Sequence, residues 1–246
     1  EKFILSSSLP ISMLSYYVVP KDILERIFII TGGMVSALFP QLNAAALKNT
    51  NHLTGLFNSA TNFIIVCCGV FLYPLLVFSS ELLTLWLGSD FSANSSPLIS
   101  LMVVGITASS LNMLLLSLFQ AVGRPDITTK QQIIRLPIIA GMAIAFINEY
   151  GLKGAALAWM LGRILALVMN VVAAQKYLCS SFFQILGTKR LIGIFAPIIL
   201  YIPTLGGDYF ADGSALKFGY LAASFVMLVC FYWFVLLIDS ERKFLK

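Results

Sequence analysis

Long apolar runs alternate along this chain with short polar clusters. Eight of the runs read as helical spans, most of them near the roughly 20 residues that a bilayer's hydrocarbon core requires. They fall at about 3–14, 27–47, 58–79, 97–120, 127–148, 151–176, 190–205 and 216–238. The first is interrupted by Ser6, Ser7, Ser8 and Pro10, and the second starts near Tyr16. Between them, YYVVPKDILER sets Lys21 against Glu25 and Asp22 against Arg26 at i, i+4, so each charge can be paired if the segment is helical. Pro74 predicts a kink in the third span, and Trp86 after it suits a membrane interface. The fourth carries Thr107, Ser109, Ser110 and Asn112 at mid-depth. Gly123 then ends a helix, and Pro125-Asp126 can start the next. Thr128, Gln131, Gln132 and Arg135 form a polar stripe on the fifth. The expected fold class is all-α, a polytopic transmembrane helix bundle of about eight spans.

The sixth run, GLKGAALAWMLGRILALVMN, has the most specific pattern. Gly154, Ala158, Gly162 and Ala166 recur every four residues, and such a small-residue ridge lets another helix approach closely within a bilayer. Arg163 lies beside the ridge, about 14 Å from the helix start. A guanidinium at that depth is costly unless it faces the bundle interior or a wet cavity.

Composition agrees. The chain is 59% hydrophobic and 11% charged, with a mean hydropathy of +0.92, which marks a multi-span membrane protein. The basic residues behind the net charge of +5 are scattered, which argues against nucleic acid as a partner. Cys67, Cys68, Cys179 and Cys230 lack metal or disulfide spacing and read as small hydrophobes. No phosphate-binding loop, metal-ligand pair or nucleophile elbow is present, so neither an enzyme, a metal nor a cofactor is expected. The chain opens at Glu1-Lys2 with no methionine or signal peptide, and a fragment lacking its beginning is expected.

Loop charges orient the spans. With the first span running outward, nine lysines and arginines fall inside, including Arg190, against four in the outer loops and the 21–26 stretch. That predicts a cytoplasmic C-terminus. Candidate substrate-binding cations are Arg163, Lys2, Arg135 and Arg26, with Gln131, Gln132 and Asn170 as polar cavity residues. Each has a bland alternative: Arg163 a packed arginine, Arg135 a snorkelling one, Arg26 a surface partner of Asp22. His52 reads as a solvated residue of an inner loop. Cations in a polar cavity at membrane depth favour an anionic substrate, with phosphate their usual partner.

Several short motifs, in order, carry a resemblance. They are Glu1-Lys2-Phe3-Ile4, Tyr16-Tyr17-Val18-Val19-Pro20, Leu38-Phe39-Pro40, Leu85-Trp86-Leu87-Gly88, Gln120-Ala121-Val122-Gly123-Arg124-Pro125, and GLKGAALAW with Arg163 four residues on. Across about 1–180 the chain resembles the C-terminal half of bacterial O-antigen and exopolysaccharide flippases. These belong to the multidrug/oligosaccharidyl-lipid/polysaccharide exporter superfamily. The resemblance implies two six-helix lobes around a cavity open to one side at a time. Residues 1–180 would be helices 7–12, and 181–246 two further transmembrane helices and a cytoplasmic tail. It further implies an inner-membrane protein that flips an undecaprenyl-diphosphate-linked oligosaccharide, with the missing N-terminal lobe as partner. By position, Lys2 and Arg163 would engage the anionic head, followed by Arg135 and Arg26. A cation-coupled drug exporter and a non-transporting remnant are the rival readings.

Overall fold

The computed structural model describes residues 11–48, 50–178, 188–205 and 214–232, and every element among them is helical. We number the helices α1 (Ile11–Lys48), α2 (Thr50–Val77), α3 (Ser79–Leu87), α4 (Ser89–Ala121), α5 (Asp126–Leu178), α6 (Thr188–Leu205) and α7 (Ser214–Phe231). Among the described residues, four segments are long and apolar enough to cross a membrane: Met13–Leu47, Asn51–Val77, Ser89–Ala121 and Asp126–Tyr177.

Two boundaries differ from the sequence pattern. The YYVVPKDILER segment is no connection between spans: α1 runs unbroken through Pro20 and Pro40 for 38 residues, about 57 Å. The Lys21–Glu25 pair closes across one turn at 3.8 Å. Thr50 already opens α2, so His52 sits exposed in a helical first turn and not in a loop. Most of the first apolar run, Lys2 included, lies outside the described residues.

The fifth and sixth runs are the two arms of α5, which folds back on itself at Gly151. There φ is 56° and ψ −127°, a combination that a side chain would strain. Contacts across the arms fall symmetrically about this point. Gly154 abuts the Phe146 carbonyl, Gly162 abuts Ile139, and the Gln131 amide donates to the Met169 carbonyl at 3.1 Å. The small-residue ridge therefore packs against the preceding arm of its own hairpin. A Cβ on Gly154 would collide with the Phe146 backbone.

α4 occupies the centre. Met102, Ile106, Leu114 and Leu118 are buried on it, with α1, α2 and α5 around it. The second arm of α5 runs parallel to α4, as shown by Trp159 on Gly105, Asn170 on Asn112 and Tyr177 edge-on to Phe119. α1 is parallel too, through Tyr16 near Phe91 and Thr31 bonded to Ser110 at 3.1 Å. One end of the bundle thus collects the C-termini of α1, α4 and α5 with the N-termini of α2 and α6. The turn at Gly151 lies at the other.

α6 and α7 pack on α2. Tyr73 and Ser224 share a hydrogen bond at 2.5 Å. The Tyr232 hydroxyl donates to the Gly193 carbonyl at 2.8 Å, and its ring lies over Gly69.

Candidate functional site

Trp159 is the residue around which the cations gather. Gly105 of α4 has no side chain, and the indole fills that space, leaving Trp159 2% exposed. The guanidinium of Arg163, one turn further along α5, lies 5.1 Å from the indole centroid. The Lys21 ammonium of α1 lies 5.9 Å from the same indole and 5.9 Å from the Tyr17 ring. Cation–π contacts of this kind contribute about 0.5–2 kcal/mol, more where water is excluded. They let one aromatic side chain hold two positive groups from different helices.

The hairpin register sets the depth. Arg163 lies across from 137–138, the middle of the first arm, and about 18 Å from the Gly151 turn. Arg135 lies a few residues nearer the Asp126 end. That arm begins at Asp126, ahead of the apolar run, so Arg135 is about 14 Å along it. The two guanidinium charges repel each other. Among the described residues neither has a carboxylate partner. Arg163 is exposed and Arg135 half-buried.

The remaining candidates spread out. Gln131 is half-buried and joins the two arms of α5, while its side-chain oxygen is buried with no partner among the described residues. Gln132 is exposed next to it. Asn170 is buried and donates to Asn112 Oδ1 at 2.8 Å and to the Ala166 carbonyl at 3.0 Å, so it belongs to a polar seam between α4 and α5. Arg26 is exposed on α1, on the face of Ile29 and Ile30. Lys2 lies outside the described residues. The structure thus brings Arg163, Arg135 and Gln131 onto one hairpin and leaves Arg26 on another helix. Neither Arg163 nor Arg135 lines the three cavities found among the described residues. The void beside Trp159, about 10 Å³ and walled by Tyr17, Ile139, Ala143 and Ile147 among others, is apolar and too small for more than one water.

Two basic residues take unexpected places. Lys21, read as an outer-surface charge, is 7% exposed between two rings, and the only hint in the chain was the aromatic at i−4, Tyr17. Arg190, assigned to an inner loop, is buried in the first turn of α6. Its Nε donates to Asn62 Oδ1 at 2.8 Å and its Nη2 to Asn58 Oδ1 at 3.0 Å, and no pattern in either helix signals that pairing.

At the end of the bundle where α5 begins, the charges pair among themselves. Arg124 Nε meets Asp126 Oδ1 at 3.0 Å, and Lys130 lies 3.4 Å from the other oxygen.

Apolar helices of membrane-crossing length with cations halfway along them are features of a multi-pass membrane protein. A comparison with known proteins agrees. The chain is 24% identical over 165 residues to a Shigella flexneri protein described as "Putative O-antigen transporter", a match covering 67% of this chain and 39% of that relative. No family model and no solved structure matches.

Proposed function

We propose that this chain is the C-terminal part of an inner-membrane flippase. Its substrate is a lipid-diphosphate-linked oligosaccharide for surface polysaccharide, moved between leaflets by alternating access. Residues 1–180 form one lobe of the translocating core, and 181–246 add two helices and a cytoplasmic tail. The relative's description supports the substrate class. One observation carries the reading: Arg163 and Arg135 stand near mid-depth of one hairpin, and among the described residues neither has a carboxylate partner.

Two like charges in a poorly screened setting are mutually destabilising, and an anion between them removes that cost. Planar guanidinium groups match phosphate oxygens two at a time, which suits a diphosphate. Outward movement of that anion gains about 2.3 kcal/mol per charge per 100 mV in an interior-negative cell. The reading involves no covalent step and no cofactor. A cation-coupled drug exporter would place carboxylates in the cavity, and among the described residues none pairs with Arg163 or Arg135; Glu25, which approaches the Trp159 cluster, is paired with Lys21.

The test is complementation of surface polysaccharide in cells lacking the full-length protein. Arg163→Ala should lower polymer at the surface by about tenfold or more, the 1.4 kcal/mol or greater expected for a charge-assisted contact, with normal membrane insertion. Arg163→Lys should recover only part. Wild-type polysaccharide from Arg163→Ala would overturn the assignment.

A further inference from the structure

The seat of Trp159 depends on a residue of another helix. A Cβ on Gly105 would collide with Cζ3 of the indole and crowd its Cε3 at 2.7 Å, so the ring occupies a notch that only glycine leaves on α4. Tyr17 of α1 and Ile139, Ala143 and Ile147 of the other α5 arm close round it, with a void of about 10 Å³ between them. A ring packed this way has one orientation, because turning it would move a helix. Tryptophan is a costly choice for such a place. Its Nε1 is sealed from solvent and has no partner among the described residues. A buried N–H without an acceptor lowers stability in a way that leucine or phenylalanine there would not. What tryptophan adds is the ring face that attracts a cation most strongly.

The two cations on that ring differ. Lys21 is buried and paired with Glu25 at 3.8 Å. Arg163 is exposed, and among the described residues it makes no hydrogen bond or ion pair. Its contact with the ring uses no oxygen acceptor, so its N–H donors stay available to an anion. An unattached arginine loses much side-chain freedom when an anion fixes it. A guanidinium already held on a packed ring has given up part of that freedom beforehand, and preorganisation of this kind raises affinity without adding a contact.

We propose that Trp159 is the positioning residue of the anion site. Seated against Gly105, its ring holds the Arg163 guanidinium in the orientation that receives the anionic head of the substrate. This role rests on the reading of Arg163 as a substrate contact and adds to it the residue that aims that contact. Trp159 touches no substrate itself, being almost fully buried. Lys21 reaches the same ring from α1, so one side chain sets both the packing of three helices and the aim of Arg163.

Changing the electronics of the ring tests this without disturbing its packing. In the full-length protein, position 159 carries tryptophan or its mono-, di- or trifluorinated forms. Fluorine withdraws electron density from the ring face, so the series keeps the shape and progressively weakens the hold on a cation. Each protein is treated with phenylglyoxal, an arginine-selective reagent, at increasing inorganic pyrophosphate, and modification of Arg163 is followed by mass spectrometry. Pyrophosphate should protect Arg163 in the protein with ordinary tryptophan. The half-protecting concentration should then rise stepwise along the series, by about fivefold at the trifluorinated ring, equivalent to about 1 kcal/mol. A role in packing alone would leave it unmoved, because the shape of the ring is kept. Constant or tighter protection along the series overturns the positioning role and leaves Arg163 as a contact. Absence of protection with ordinary tryptophan overturns the contact itself, and the role of Trp159 with it.

Discussion

Arg163 and Arg190 show how little an arginine's position in the chain says about its surroundings. Both sit in apolar segments. Arg190 is embraced by two asparagines of α2 and ties α6 to the bundle. Arg163 rests on an indole and is otherwise open. The first arrangement serves attachment; the second leaves donors available. Hydrogen bonds to a charged group contribute about 1.5–3 kcal/mol each. Asn62→Ala should therefore lower the stability of α6 on α2 by roughly that amount, read as earlier proteolysis of α6 in detergent, with Asn62→Asp recovering much of it. Equal protease resistance in Asn62→Ala would remove Arg190 from that role. The depth of Arg163 could be read from the chain because helical rise is constant. The asparagine partners of Arg190 could not, because they are over 120 residues away.

At the scale of the element, the hairpin of α5 decides the geometry of the site. Its arms meet through glycines, and the turn rests on a backbone conformation that only glycine adopts cheaply. Gly154→Leu should force the arms apart by colliding with the Phe146 carbonyl, with a loss of several kcal/mol or failure to fold, because overpacked helix contacts cost about 1–3 kcal/mol even where they relax. Gly162 faces the flexible end of Ile139 at 3.1 Å, so Gly162→Ala should cost less than half as much. Thermal unfolding of the two variants checks the order; a reversed order would refute the register. The small-residue ridge was legible because its spacing of four is a helix face. Which helix it would meet was not, since any neighbour could use that face.

On the scale of the whole molecule, the helix directions separate two ends. The end that gathers Arg124, Lys130 and Lys176 is basic, and the end at the Gly151 turn carries Glu149 nearby. The loop-charge rule assigns the basic end to the cytoplasm. Reporter fusions should thus show a cytoplasmic fluorescent protein active after Gly123 and a periplasmic phosphatase active after Glu149. The opposite pattern would invert the proposed orientation. The unbroken α1 shows where polar content misleads. YYVVPKDILER reads as a connection, but its lysine is sheltered by Tyr17 and Trp159 and paired with Glu25, so the helix continues through it.

The chain by itself determined that this is an all-helical membrane protein, where its apolar runs lie, and that arginines stand inside them. Those properties follow from hydropathy and helical period, which are local. Only the tertiary structure decided that α5 doubles back at Gly151, that Lys21 is buried on Trp159, and that Arg135 comes near Arg163. Each depends on contacts between helices distant in sequence or on a single backbone torsion, and neither leaves a periodic trace.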